Sequence, residues 1–138
     1  IAYLPKALYH YRFVDGSTSH SWNADTIKCR EFIWEQQKKF LDSFGGTIKK
    51  ADYAYVAYDN YIWAIFLLSS SLCPLSYKEK KRQLLWLNEK TEFDKYRKDC
   101  PLKHQHGINK VKYILVKYRL ERILLLFGPF FLRIVRGE

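Results

Sequence analysis

Methionine is missing from all 138 residues, the first position included, a pattern expected of a fragment, a domain or a processed chain. The opening residues 1–4 are too short and too polar in their flanks to be a secretory leader. The apolar stretches at 61–68 and 123–132 fall well below the roughly 20 residues that a bilayer-spanning helix needs. Cysteine is scarce and unpaired in pattern: Cys29, Cys73 and Cys100 are odd in number, widely spaced, without a Cys-x-x-Cys and without a histidine at a zinc-ligand interval. That argues against a disulfide framework and a zinc module, and the expectation is free, mostly buried thiols in a reducing cytoplasm.

Large apolar and aromatic side chains are abundant. Hydrophobic residues make up 48% and aromatics 17% of the chain, far more than disordered sequences carry. A single chain of about this length buries roughly 70% of its unfolded surface, so one packed unit is expected. Charge is unevenly placed. Residues 1–70 hold eight Lys/Arg against seven Asp/Glu, a balance of +1, whereas residues 71–138 hold sixteen against seven, a balance of +9. The second half therefore carries the basic surface.

Hydrophobic period divides the chain at residue 22. Residues 7–14 alternate, with Tyr9, Tyr11 and Phe13 on one face and Leu8, His10, Arg12 and Val14 on the other, and Asp15-Gly16 follows as a turn signal. From Asn23 or Asp25 the period becomes helical, with Ile27, Ile33, Trp34, Phe40, Leu41 and Phe44 on one side up to Gly45-Gly46. A second helix is expected from about Thr47 to Leu72, apolar on all sides from Tyr61 to Leu68 and so the buried centre of a bundle. Ser76 can cap a third helix, Tyr77 to about Glu92, anchored by Tyr77, Leu84, Leu85 and Trp86. Residues 93–107 look like a connector with one helical turn. A last helix is expected from Ile108 or Asn109 until Gly128-Pro129 breaks it. The predicted fold is mainly α: a short N-terminal β-hairpin or strand (residues 1–22) followed by a small helical bundle of four or so helices (residues 23–138).

The uncharged run 123–132 sits between cations. Arg119, Arg122, Arg133 and Arg136 flank Leu126, Phe127, Phe130 and Phe131, the composition of an interfacial helix whose apolar face enters the headgroup boundary of an anionic membrane. A core helix with a solvated basic face is the alternative.

The run LYHYRFVDGSTSHS, residues 8–21, resembles the end of the catalytic domain in glycosyltransferase family 2, where a Tyr-x-Tyr-Arg strand precedes a Ser-x-Ser. The resemblance implies the C-terminal part of a GT-A type enzyme that moves a sugar from a nucleotide-sugar donor to a glycan or lipid-linked acceptor, in capsule, exopolysaccharide or cell-wall glycan synthesis. It implies Arg12 as a contact of the donor diphosphate, Ser17, Ser19 and His20 as further donors, and His10 as a metal ligand. Asp15 could pair with Arg12 instead. A divalent metal, Mg or Mn, would belong to the full-length parent, with no cofactor expected for this piece. The Asp-x-Asp motif, a Gly-rich phosphate loop and strand-helix alternation do not occur here, so the chain alone is expected to be inactive. By the same resemblance it would support acceptor binding or membrane association at the cytoplasmic face; read instead as a structural or protein-interaction helical module, it would dock onto another domain or form a homodimer through its aromatic-rich helices.

Two other readings draw on the basic half. Interleaved Tyr and Trp could serve nucleic acid, yet residues 78–82 and 94–98 mix charge signs and no helix-turn-helix, RNP or zinc-finger spacing occurs. His104 and His106 could be read as a metal pair, but their surroundings lack a ligand cluster, and a solvated loop explains them as well.

Overall fold

Asn23 opens the first helix by the mechanism that favours Asn at helix starts: its Oδ1 accepts the Asp25 amide at 2.8 Å, and its carbonyl accepts that of Thr26 at 3.1 Å. The computed structural model describes residue 23 and residues 25–127. The expected N-terminal strands lie outside the described residues, as does the segment after 127. Among the described residues the chain is mainly helical and contains no strand.

Helix α1, Asp25–Asp42, presents Ile27 and Trp34 inward. Gly45, at φ +58°, supplies the left-handed backbone expected after its end. Phe40 and Phe44, expected on the packed side, do not reach the core. Phe40 is 63% exposed, and the two rings meet edge-on at 4.9 Å on the surface instead. Their position past the last inward turn leaves them only each other to pack against.

Helix α2, Lys50–Ser69, is the central element and packs against α1 and against three of the later helices. Its first turn is held by Asp52, whose Oδ2 accepts the Lys49 amide at 2.8 Å. Ala54, Ala57 and Ala64 are fully buried, and such small side chains let neighbouring axes approach closely. The helix ends three residues before the expected Leu72. The Ser70 hydroxyl accepts the Leu72 amide at 3.2 Å, and this local bond competes with another helical turn.

Helix α3, Tyr77–Lys90, starts with a reciprocal capping box. The Ser76 amide donates to Glu79 at 2.8 Å, and the Ser76 hydroxyl accepts the Glu79 amide at 3.4 Å. Leu84 and Leu87 face inward, while Leu85 and Tyr77, expected as anchors, are exposed.

The stretch expected to be a connector is part of the core. Helix α4, Phe93–Tyr96, continues into 3-10 turns at Arg97–Asp99 and Leu102–His104. Phe93 is 0% exposed and stacks on Tyr61 at 4.2 Å, and Tyr96 is buried edge-on to Trp34 at 5.5 Å. Periodicity misses it because a single turn of helix is too short to repeat.

The last expected helix is two helices. Helix α5, Gly107–Lys117, ends in a Schellman arrangement: the Arg119 amide donates to Val116 O at 3.2 Å and the Leu120 amide to Leu115 O at 2.8 Å. Arg119 takes the left-handed position at φ +59°. Helix α6, residues 121–127, then folds back with Leu124 and Leu125 buried. The Leu124 carbonyl accepts the Ser69 hydroxyl at 3.0 Å, which ties α6 to the end of α2.

Candidate functional site

Arg97 organises the junction of α4, α5 and α6. It is 8% exposed, and its Nε donates to Asp94 Oδ1 at 2.7 Å while Nη1 donates to the Glu121 carboxylate and to the Val116 carbonyl. Its guanidinium lies 4.8 Å from the centre of the Phe93 ring. Burial alone would lower its pKa, but the bonds to Glu121 and Asp94 outweigh that and raise it. For Asp94, burial pushes the pKa up, whereas hydrogen bonds from Asn88 and Arg97 and the charges of Arg97 and Arg119 bring the net shift down.

A cleft of about 370 Å³ opens beside this junction, between α3 and the α5–α6 turn. Lys81, Arg119 and Arg122 line it together with Tyr77 and Leu85. Both carboxylates in its wall are already engaged. Glu121 is held by Arg97, and Asp94 accepts from Arg97, from Asn88 at 3.1 Å and from Arg119 Nη2 at 3.2 Å. A shallower hollow continues past Arg119 to Lys98 and Lys117. Across the two hollows six cations face two carboxylates.

A second, larger groove of about 800 Å³ runs between α2 and the 3-10 turns, lined largely by apolar atoms of Leu41, Val56, Pro101 and Leu102. Asp99 in its wall pairs with Lys50 at 2.8 Å. His104 meets Tyr55 edge-on at a centroid distance of 6.4 Å. His106 is exposed, and among the described residues no three His, Cys, Asp or Glu side chains gather as a metal site.

Two further titratable groups lie apart from these hollows, Lys112 buried and Asp59 half-buried. Lys112 is 3% exposed, with its Nζ 4.0 Å from the centre of the Phe66 ring and 3.2 Å from Asn109 Oδ1, and burial lowers its pKa. The Asp59 pKa is raised by burial, partly offset by the Arg30 charge. The cysteines are free, as expected, but Cys29 is exposed and Cys100 only half-buried, because Cys29 lies on the outer side of α1.

The residues expected to contact the donor diphosphate, Arg12, Ser17, Ser19 and His20, and the expected metal ligand His10 lie outside the described residues, as do Phe130, Phe131, Arg133 and Arg136. Of the expected membrane-facing set, Arg119, Arg122, Leu126 and Phe127 are all exposed, while Leu124 and Leu125 between them turn inward. No described helix is long and apolar enough to cross a membrane. Sequence reasoning passed over Arg97, whose signal was an aspartate three residues earlier flanked by Phe93 and Tyr96. It also missed Lys81 as a neighbour of Arg119, since only the fold-back of α6 joins them. Comparison with family models, with curated proteins and with solved structures finds no match to this chain.

Proposed function

We propose that this chain is the C-terminal helical region of a family 2 glycosyltransferase, and that the full-length enzyme transfers a sugar from a nucleotide-sugar donor to a glycan or lipid-linked acceptor. The observation that carries the reading is the run Tyr9-His10-Tyr11-Arg12 followed by Ser17-Thr18-Ser19. Chemistry supports the assignment of roles. Sugar transfer leaves a diphosphate whose growing charge must be met by cations and by hydroxyl or amide donors, and Arg12 with Ser17 and Ser19 offers that set.

Helix α1 begins at Asp25, directly after this run, and the core from α1 to α6 is assembled from its own residues. A self-packed helical unit of that kind suits a support for an adjoining catalytic domain. A divalent Mg or Mn ion would serve the donor diphosphate in the full-length enzyme. Exposed Leu126 and Phe127 beside exposed Arg122 favour contact with the cytoplasmic face of the membrane as a peripheral association.

Arg12→Ala in the full-length enzyme tests the reading. Donor affinity and sugar transfer should both fall, by about tenfold or more for a charge-assisted contact to a diphosphate. Unchanged donor affinity and turnover would remove Arg12 from the donor site.

A further inference from the structure

Arg119 stands where the backbone favours glycine. It occupies the left-handed position that follows α5, at φ +59°, a conformation that costs any residue with a Cβ and that helix ends usually assign to Gly or Asn. Its contribution to packing is small, because its side chain is 69% exposed and its one carboxylate contact among the described residues is Asp94 at 3.2 Å, shared with Arg97. Strained backbone of this kind concentrates at binding sites, where the position of a side chain matters more than its local energy.

From that position Arg119 lines both hollows at the α5–α6 turn. Lys81 reaches the main cleft from α3 and Arg122 from the first turn of α6. Neither has a carboxylate within ion-pair distance among the described residues. Arg97 engages both acidic groups in the wall and Arg119 shares Asp94, so four cations meet two carboxylates in a concave space of about 370 Å³, and Lys81 and Arg122 are left uncompensated there. Exposed Tyr77 and Leu85 form an apolar lip on the α3 side.

We propose that this cleft binds a phosphate-bearing ligand, its phosphoryl oxygens held by Arg119, Arg122 and Lys81 and its adjoining organic part resting on Tyr77 and Leu85. Two guanidinium groups and an ammonium on one concavity match a phosphate or diphosphate, since each guanidinium can donate two parallel hydrogen bonds to a pair of phosphoryl oxygens. The dimensions admit a headgroup-sized or nucleotide-sized ligand rather than a macromolecular surface. The proposal is independent of the glycosyltransferase reading, because none of its residues lies in the run 8–21.

The test is calorimetric titration of the chain with inorganic pyrophosphate, in parallel with co-sedimentation on phosphatidylcholine vesicles with and without phosphatidic acid. Arg119→Gly removes the cation and at the same time relieves the backbone, so its thermal midpoint should hold or rise. Arg122→Gln removes a second cation from a surface position. Each variant should weaken binding about tenfold or more in whichever arm binds. Binding of pyrophosphate supports a soluble phosphate ligand, and binding confined to phosphatidic acid vesicles supports a lipid headgroup. Absence of binding in both arms, or equal binding by wild type and both variants, overturns the proposal.

Discussion

Replacing Arg97 by Met should be among the most damaging single changes in the described part of the chain. The guanidinium is 8% exposed and serves three acceptors: Asp94, Glu121 and the Val116 carbonyl. The Asp94 bond is half open to water and adds little, since exposed ion pairs contribute about 0–1 kcal/mol. The Glu121 bond differs, because the side chains of both partners are only 10% and 14% exposed. Removing one partner of such a pair strands the other charge in a poorly hydrated place, at a cost of about 3–5 kcal/mol. At roughly 3 °C per kcal/mol for a chain of this size, the melting midpoint should fall by about 10–15 °C. The double variant Arg97→Met, Glu121→Leu removes both charges and should recover most of that loss, so the two substitutions are strongly non-additive. Urea unfolding followed by helical circular dichroism measures the whole cycle. A single variant within about 0.5 kcal/mol of wild type, or additive effects in the double variant, would refute the central place given to Arg97.

Two further substitutions probe the core and its titration. Phe93→Ala should cost about 3–5 kcal/mol in urea unfolding, as expected for a fully buried ring stacked on Tyr61, whereas a connector residue would lose almost nothing. Asp59 has its pKa raised by burial, so the folded state holds its proton to higher pH than the unfolded state does. Stability should therefore fall as pH rises from the ordinary carboxylate range through the raised value. Asp59→Asn should flatten that slope and be more stable than wild type near neutral pH; an unchanged unfolding profile across that window would count against a partly desolvated carboxylate at this position.

The long helices were legible because each carries its own signals. Ser76 with Glu79, Asn23 ahead of Asp25 and Gly45 at a positive φ set boundaries that local chemistry alone determines. The all-round apolar character of residues 61–68 likewise foretold the buried centre of α2. What the sequence hid was tertiary. Phe93, Tyr96 and Arg97 occupy barely one turn, too short for periodicity, and their burial depends on α2 and α5 arriving from far along the chain. The break at Arg119 was concealed for a related reason. Residues 108–127 carry an unbroken helical pattern without glycine or proline, and the chain turns there because α6 buries Leu124 and Leu125 and places Glu121 on Arg97. The cleft followed the same rule, since Lys81 and Arg122 become neighbours only once α6 has folded back.

The most direct measurement of the functional account is diphosphate release by the full-length enzyme from a panel of nucleotide sugars, with Mg or Mn supplied and glycan or lipid-linked acceptors present. Acceptor-dependent release is expected from at least one donor, reduced about tenfold or more by Arg12→Ala. Failure to turn over or bind any nucleotide sugar, in a preparation whose helical unit unfolds cooperatively, would contradict it.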